Sequence, residues 1–376
     1  MSKLLSQGGF GCVYYPGIDC KGQTINETSV VTKLQRKDFN SDNEIKIGNL
    51  VKNISFFKDF FLPVINTCPI DIRFIDKKLI DDCDIVKDSE KDYLLMNIPY
   101  ISNSPFTNIF KIGAINNKHF VLQFTETYNY LLLAIKKLVE AKIVHFDLKT
   151  DNILYNSITK DPQIIDFGIS IPINNLNKKN MEEYFYIYGP DYYVWPLEVH
   201  IIGYILNETK NNLTINDAKL ISNEYVKNND GLNIFSQNFR TLYQNNCEKI
   251  ISQYVDKPRN DVINELLKYY DTWDNYSVSI IFLKFFEYIF PSGFYKNNLL
   301  ISISQLLLLN ISPNPLKRFN LDETLKQFNN LFYKEDNIDT YLDISREISI
   351  DPKTTMKLIS DDLRKLKNIR QKYEKN

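Results

Sequence analysis

The chain has 376 residues, 44% hydrophobic and 24% charged, which suits a globular protein with a sizeable core and sets aside collagenous, disordered and small disulfide-framework classes. At about 150 residues per domain, the length fits one large domain or a two-lobed chain. Forty-five Lys and Arg against 46 Asp and Glu leave a net charge of -1, so no global field draws the chain to nucleic acid or to an anionic membrane.

Short β-rich runs between Gly, Asp and Asn turns predict strands at Cys12 to Tyr15, Ser29 to Leu34, Ile70 to Ile75 and Tyr93 to Ile98. One helix interrupts them, capped by Ser41 and running from Asp42 toward Val51. From about residue 119 helical spacing dominates, with Phe120, Phe124, Tyr128, Leu131, Leu132, Ile135 and Leu138 on one face. The apolar runs 278–290 and 299–311 are broken by Lys284 and Glu287, and by Gln305 and Asn310. They fall short of the ~18 clean residues of a membrane span and read as buried helices. From Pro352 the residues Met356, Ile359, Leu363, Leu366, Ile369 and Tyr373 trace an amphipathic helix, which packs on the chain's own core or docks on a partner or membrane. No repeat or low-complexity linker divides the chain. The periodicity gives a strand-rich lobe at 1–100, a mainly helical lobe at 101–334 and a tail at 335–376.

Five cysteines, Cys12, Cys20, Cys68, Cys83 and Cys247, are odd in number, widely spaced and without a C-x-x-C pair of the kind that builds zinc sites. A reducing, cytoplasmic setting is expected from this usage, and the opening Met1 to Gln7 lacks the apolar stretch of a signal peptide.

Chemistry enters at Ser6-Gln7-Gly8-Gly9-Phe10-Gly11-Cys12-Val13, where three glycines let backbone amides approach a polyphosphate, or form a glycine hairpin without a ligand. The β-branched run Val30-Val31-Thr32 ends in Lys33, whose ammonium can grip phosphate oxygens or remain a solvated strand-end charge. The specific signal is His145-Phe146-Asp147-Leu148-Lys149-Thr150-Asp151-Asn152, followed by Ile164-Ile165-Asp166-Phe167-Gly168. An Asp can accept a hydroxyl proton, and a Lys two residues on can neutralise a transferring phosphoryl group. An Asn and a second Asp supply hard oxygen ligands for Mg²⁺. The four fixed positions of the first motif arise by chance in roughly one chain of this length in several hundred.

At these residues the chain resembles the eukaryotic-type serine/threonine protein kinase family, and the likeness extends over nearly the whole sequence. Trp195-Pro196-Leu197-Glu198 is similar to the family's Ala-Pro-Glu, Asp274-Asn275-Tyr276-Ser277 to its Asp-x-Trp-Ser, and Arg318 closes the set. The opening glycine-rich run, with its AT-coded composition, is most similar to kinases of large DNA viruses. The resemblance implies an α+β, bilobal fold: a small antiparallel sheet with one helix on a larger helical lobe, with ATP in the cleft. It implies Asp147 as catalytic base, Lys149 as γ-phosphate partner, and Asn152 and Asp166 as Mg²⁺ ligands. Ser6, Gly8, Gly9, Phe10, Gly11 and Val13 would cover the phosphates. Lys33 would hold the α/β phosphates and pair with Glu44, the remaining glutamate between Lys33 and the strand at Tyr93 once Glu90, too near that strand, is set aside. Met96 would guard the back of the pocket, and backbone around Asn97, Ile98 and Pro99 would meet adenine. Glu198 and Arg318 would form a buried ion pair, Asp274 would brace the catalytic loop, and His145 would be structural.

Several positions depart from the family pattern. Ser6 replaces a glycine and Phe146 replaces an arginine that clamps an activation-segment phosphate, so control by loop phosphorylation is not expected. Glu44 lies only 11 residues after Lys33, and Gly48 stands where an apolar residue packs between the lobes. The 76 residues from Glu198 to Asp274 are several times what the family uses, implying a helical insert around 199–270 that forms either a structural cover or a docking site. The expected activity is Mg²⁺- and ATP-dependent transfer to serine and threonine of an unnamed protein substrate. A pseudokinase scaffold and a small-molecule phosphotransferase are the alternatives.

Overall fold

The computed structural model describes residues 2–9, 11–86, 91–107, 117–289 and 298–332. Phe10, Glu90 and the tail helix expected at 352–374 lie outside the described residues.

The first lobe is an antiparallel sheet of β1 (Lys3–Gln7), β2 (Gly11–Tyr15), β3 (Val30–Arg36), β4 (Asn66–Ile70) and β5 (Tyr93–Pro99), ordered β1-β2-β3-β5-β4. Its register sets Val13 opposite Lys33 and Lys33 opposite Met96. The strand expected at Ile70 to Ile75 is displaced: β4 ends at Ile70. The carboxylate of Asp71 then accepts the Arg73 amide at 3.0 Å and turns the chain into a 3₁₀ turn at Ile72–Phe74, the side-chain competition that makes Asp a strand breaker. Cys12, Tyr14, Leu34, Tyr93 and Leu95 fill the core of this lobe.

Helix α1 (Phe39–Val51) follows β3 across only Lys37 and Asp38. The expected cap at Ser41 is corrected: Asp38 is the N-cap, and Ser41 is the third residue of a reciprocal capping box with it. Gly48 is not a missing apolar knob. A Cβ there would stand 3.1 Å from the Val64 carbonyl, so the glycine lets the 62–64 backbone run against the helix.

The second lobe holds α2 (Asn117–Glu140), α3 (Leu197–Asn207), α4 (Ile215–Asn228), α5 (Gln237–Ile251), α6 (Arg259–Leu267), α7 (Trp273–Ile289), α8 (Asn298–Asn310) and α9 (Leu321–Phe332). The seven α2 residues expected on one face, from Phe120 to Leu138, are all buried. Phe124 and Tyr128 meet Phe282 of α7 at 4.9 and 5.0 Å between ring centroids, an aromatic seam between two helices of the core. Both apolar runs are helices of that core, and no helix among the described residues is long and apolar enough to cross a membrane. The insert is built from α4, α5 and α6, and its Ile221, Tyr225, Cys247 and Ile251 join the same core. Tyr225 and Tyr276 share a hydroxyl contact at 2.5 Å, and Tyr243 donates to the Ile311 carbonyl. This face of the insert packs on the lobe.

Two small sheets carry the loops between the lobes. One is β6 (Asn103–Pro105), β8 (Ile153–Asn156) and β9 (Pro162–Ile164), and the other pairs β7 (Ile143–Val144) with β10 (Ile171–Pro172). Arg318 and Glu198 form a two-pronged ion pair with both side chains almost wholly buried. Removing one partner would strand the other charge in the core, a cost of about 3–5 kcal/mol.

The cysteines overturn an expectation. Cys12 pairs with Cys83 and Cys20 with Cys68 in disulfides, leaving Cys247 free and buried. The partners are 71 and 48 residues apart in sequence, brought together by sheet and loop packing that cysteine count and spacing do not encode, so the count no longer argues for a reducing compartment. In denaturant without reductant, one thiol per chain is expected to react with a thiol reagent, and five after reduction. Five reactive thiols before reduction would contradict the pairing.

Candidate active site

Lys33 leaves the middle of β3 and is almost fully buried. Its Nζ donates to Glu44 Oε2 at 2.7 Å and to Asp166 Oδ1 at 3.1 Å. The short route from Lys33 to Glu44 works because α1 starts at once after β3 and presents Glu44 from its second turn. Burial alone would favour the neutral amine, but two carboxylates outweigh it and hold the lysine pKa above its ordinary value. Burial would likewise push Asp166 up, and the charge and hydrogen bond of Lys33 reverse the direction and keep it ionised.

Asp166 and Phe146 both have left-handed backbone, at φ 64° and 68°. Such conformations cost a non-glycine residue about 1–3 kcal/mol each and are retained where the surroundings over-determine them. Around Phe146 those surroundings are explicit. Asp274, buried at the start of α7, accepts the His145 amide at 2.6 Å and the Phe146 amide at 3.0 Å, the expected brace. Burial pushes Asp274 up to about 6, against the pull of those two amides. The Phe146 ring stacks on Trp195 at 4.8 Å, and Trp195 Nε1 donates to the Phe146 carbonyl at 2.6 Å. Aromatic packing stands where an arginine and a phosphate would otherwise meet.

His145 is buried, and its pKa is lowered to about 4 by burial, so the ring is neutral. Nε2 faces the Ile165 carbonyl at 3.0 Å and Nδ1 accepts the Asp147 amide at 3.3 Å, so both nitrogens are used in holding loops. His200 sets Nε2 against the Trp195 carbonyl at 3.2 Å. The side chain of His119 lies outside the described residues.

Asp147 lies nearby. Its Oδ2 accepts from Lys149 Nζ at 3.1 Å and Asn152 Nδ2 at 2.8 Å. Burial raises its pKa to about 6, opposed by the charge and hydrogen bond of Lys149. The Asn152 amide nitrogen also donates to the Asp147 carbonyl, so both known bonds of that side chain use its nitrogen. The Asn152 backbone carbonyl accepts the Ile165 amide at 3.0 Å, next to Asp166 in the chain, and an amide oxygen and a carboxylate are hard-oxygen donors of the kind Mg²⁺ takes.

The glycine-rich turn sits above. A Cβ on Gly11 would come within 2.9 Å of the Leu34 carbonyl and 3.1 Å of the Lys33 side chain, so a bare backbone is required where β2 passes Lys33. Gly8 and Gly9 have nothing within 4 Å of an added Cβ, and their backbone borders open space. Ser6 and Val13 face one another across β1 and β2. Met96 is fully buried opposite Lys33. At Asn97 the carbonyl accepts the Ile65 amide at 2.8 Å and the side chain accepts from Thr32 at 3.0 Å. Ile98 is held in the ladder opposite Val31.

Two residues have contacts at the site that no motif signals. Asn43, beside Glu44 on α1, donates to the carbonyls of Gly168 at 2.9 Å and Ser170 at 2.8 Å and accepts from Tyr184 at 3.2 Å, tying the helix to the segment after Asp166. Tyr192 donates its hydroxyl to Asp147 Oδ1 and receives Lys149 Nζ at 3.4 Å. No motif marks either, because each acts on chain more than 40 residues away. Asn43→Leu is expected to strand two buried carbonyls and lower stability by about 1–3 kcal/mol, read by chemical denaturation. An unchanged midpoint would contradict the clamp.

A family model described as Protein kinase domain matches residues 2–196, from the first strand to the approach of α3. No curated protein matches the chain.

Proposed function

The chain belongs to the protein kinase family, whose members transfer phosphoryl groups from ATP to proteins, and from that premise we propose that it is a catalytically competent Mg²⁺-dependent serine/threonine kinase. The observation that carries this reading is the buried Lys33 ammonium held between Glu44 and Asp166 in the same site as Asp147, Lys149 and Asn152. A buried three-charge network is costly unless each member is paired, and here Lys33 pairs with both carboxylates.

In this reading the bare backbone of Gly8, Gly9 and Gly11 lies over the nucleotide phosphates, with Ser6 and Val13 on either side, and Lys33 holds the α and β groups. Asn152 and Asp166 would hold Mg²⁺, which supplies neutralisation of phosphate charge when bound. Asp147 orients the acceptor hydroxyl and takes its proton, and Lys149 faces the charge that builds on the transferring group. Catalysis then rests on positioning and fixed charge, with no covalent intermediate on the protein. Lys149 in Asp-Leu-Lys supports serine and threonine as acceptors. The opening run and AT-coded composition support kinship with kinases of large DNA viruses.

Phosphate transfer from labelled ATP to casein or myelin basic protein, with phosphoamino-acid analysis of the product, tests the activity. Asp147→Asn is expected to lower the rate by about 10²–10⁴-fold, the usual span for a proton-transfer group. Asp166→Asn is expected to abolish transfer while the fold persists. Small alcohols accepting label in preference to protein, or no transfer beside an intact Mg²⁺-dependent ATP thermal shift, would overturn the reading.

The raised Asp147 pKa gives a signed pH dependence. The carboxylate acts only when ionised, so kcat/KM is expected to fall as pH drops through about 6. Lys149 opposes the rise, so residual transfer by Lys149→Met should lose activity at a higher pH than the native chain. A limb that stays near the ordinary carboxylate range in both would contradict the assignment.

A further inference from the structure

The last pair of the β1–β2 ladder, Gln7 and Cys12, stands at the foot of the glycine-rich turn, which the Gly8 amide closes on the Gly11 carbonyl at 3.0 Å. Both residues are fastened to consecutive residues of one distant loop. Cys12 is bonded to Cys83. Gln7 Nε2 donates to Asp84 Oδ2 at 3.4 Å, and Gln7 Oε1 accepts the Asp84 amide at 3.2 Å.

The loop that holds them is itself anchored on the sheet. The Tyr14 hydroxyl donates to the Leu79 carbonyl at 2.8 Å. Arg36 Nη2 and the Tyr93 hydroxyl donate to the Ile85 carbonyl at 3.0 and 3.4 Å. Ile75, Cys83 and Val86 are buried with Cys12 and Tyr14 in the core of this lobe. The Cys12–Cys83 bond is thus a covalent and buried link to the foot of the turn, whereas the Gln7–Asp84 bonds lie at the surface. The second disulfide, Cys20–Cys68, instead joins the loop after β2 to the edge strand β4.

A glycine-rich turn has the most conformational freedom to lose when it is ordered over a ligand, and a cross-link that holds its foot removes part of that cost in advance. We propose that Cys12–Cys83 is a redox-sensitive staple of the glycine-rich turn, through which a dithiol reductant lowers the affinity of the site for MgATP. The proposal rests on the kinase reading above. Cys83 is flanked by the exposed Asp82 and Asp84, while Cys12 lies between β1 and β3 in the sheet, so reduction proceeds from the loop side. One thiolate of the dithiol attacks Cys83 Sγ, the bond to Cys12 Sγ breaks, and Cys12 leaves as a thiolate that takes up a proton. The second thiolate of the reductant then attacks the first sulfur and releases Cys83 as a thiol. Two electrons pass from the dithiol, which ends as a disulfide, to the two cysteines. A freed turn that covers the phosphates about a tenth of the time raises the apparent Kd about tenfold.

The test compares the full-length oxidised chain with the same chain after dithiothreitol, with alkylation and mass spectrometry reporting the state of each cysteine. MgATP binding is read by calorimetry, and phosphate transfer to casein gives KM for ATP and kcat separately. Reduction is expected to raise Kd and KM for ATP about tenfold, to leave kcat at saturating ATP within about twofold, and to reverse on re-oxidation with oxidised glutathione. Hydrogen exchange of the amides of residues 7–13 should quicken in the reduced chain. The double variant Cys20→Ala, Cys68→Ala should respond to dithiothreitol as the native chain does. Asp84→Ala, with every cysteine in place, should raise KM for ATP further in the reduced state. An unchanged Kd for MgATP with Cys12 and Cys83 alkylated would overturn the proposal and leave the kinase reading standing, as would a fall in kcat at constant KM. Cys12 and Cys83 that resist dithiothreitol in the folded chain would overturn it as well. No MgATP binding by either form would overturn the kinase reading and this proposal with it.

Discussion

A single buried ammonium holds the catalytic geometry together. Lys33 comes from the sheet, Glu44 from α1 and Asp166 from the loop between the lobes, and all three meet within hydrogen-bond distance of one nitrogen. Each charge would be costly unpaired in the interior, and the pairing offsets that cost. The sheet, the helix and the loop are therefore coupled: displacing any one leaves unpaired charge behind. Asn43 adds a neutral bond from the same helix to the same loop, so α1 is fixed at adjacent residues by a charged and an uncharged link.

The second fixed point is Asp274, which reaches from the helical core to hold the backbone of His145 and Phe146. It supports a left-handed residue just before Asp147 and so aims that carboxylate. Phe146, Trp195 and Tyr192 continue the line as packed rings rather than as an arginine awaiting a phosphate. The consequence is an activation segment ordered by packing.

What the sequence disclosed follows from what chemistry demands. Asp147, Lys149, Asn152 and Asp166 stand out because the roles proposed for them, proton acceptance, charge neutralisation and metal ligation, each restrict the residue type, and their spacing is local. Glu44 was reachable by elimination, and the two-residue turn before α1 explains why so short a gap suffices. The helix cap was misplaced by three residues because Asp38 and Ser41 are both competent caps and here use one another. Asn43, Tyr192 and the two disulfides were invisible for one shared reason. Their partners lie 43 to 141 residues away, and nothing in residue type or periodicity distinguishes an asparagine, tyrosine or cysteine that has such a partner from one that faces water.

The central claim, that the Lys33 network makes the chain a working phosphotransferase, is tested most directly by comparing phosphate transfer to casein by the native chain and by Lys33→Met, with thermal unfolding of both recorded. The account predicts that the native chain transfers phosphate and that Lys33→Met, still folded, loses at least about 10²-fold in rate, the scale of removing one preorganised charge from a transition state. Equal transfer by the two proteins, or none by the native chain in the presence of Mg²⁺ and ATP, would contradict it.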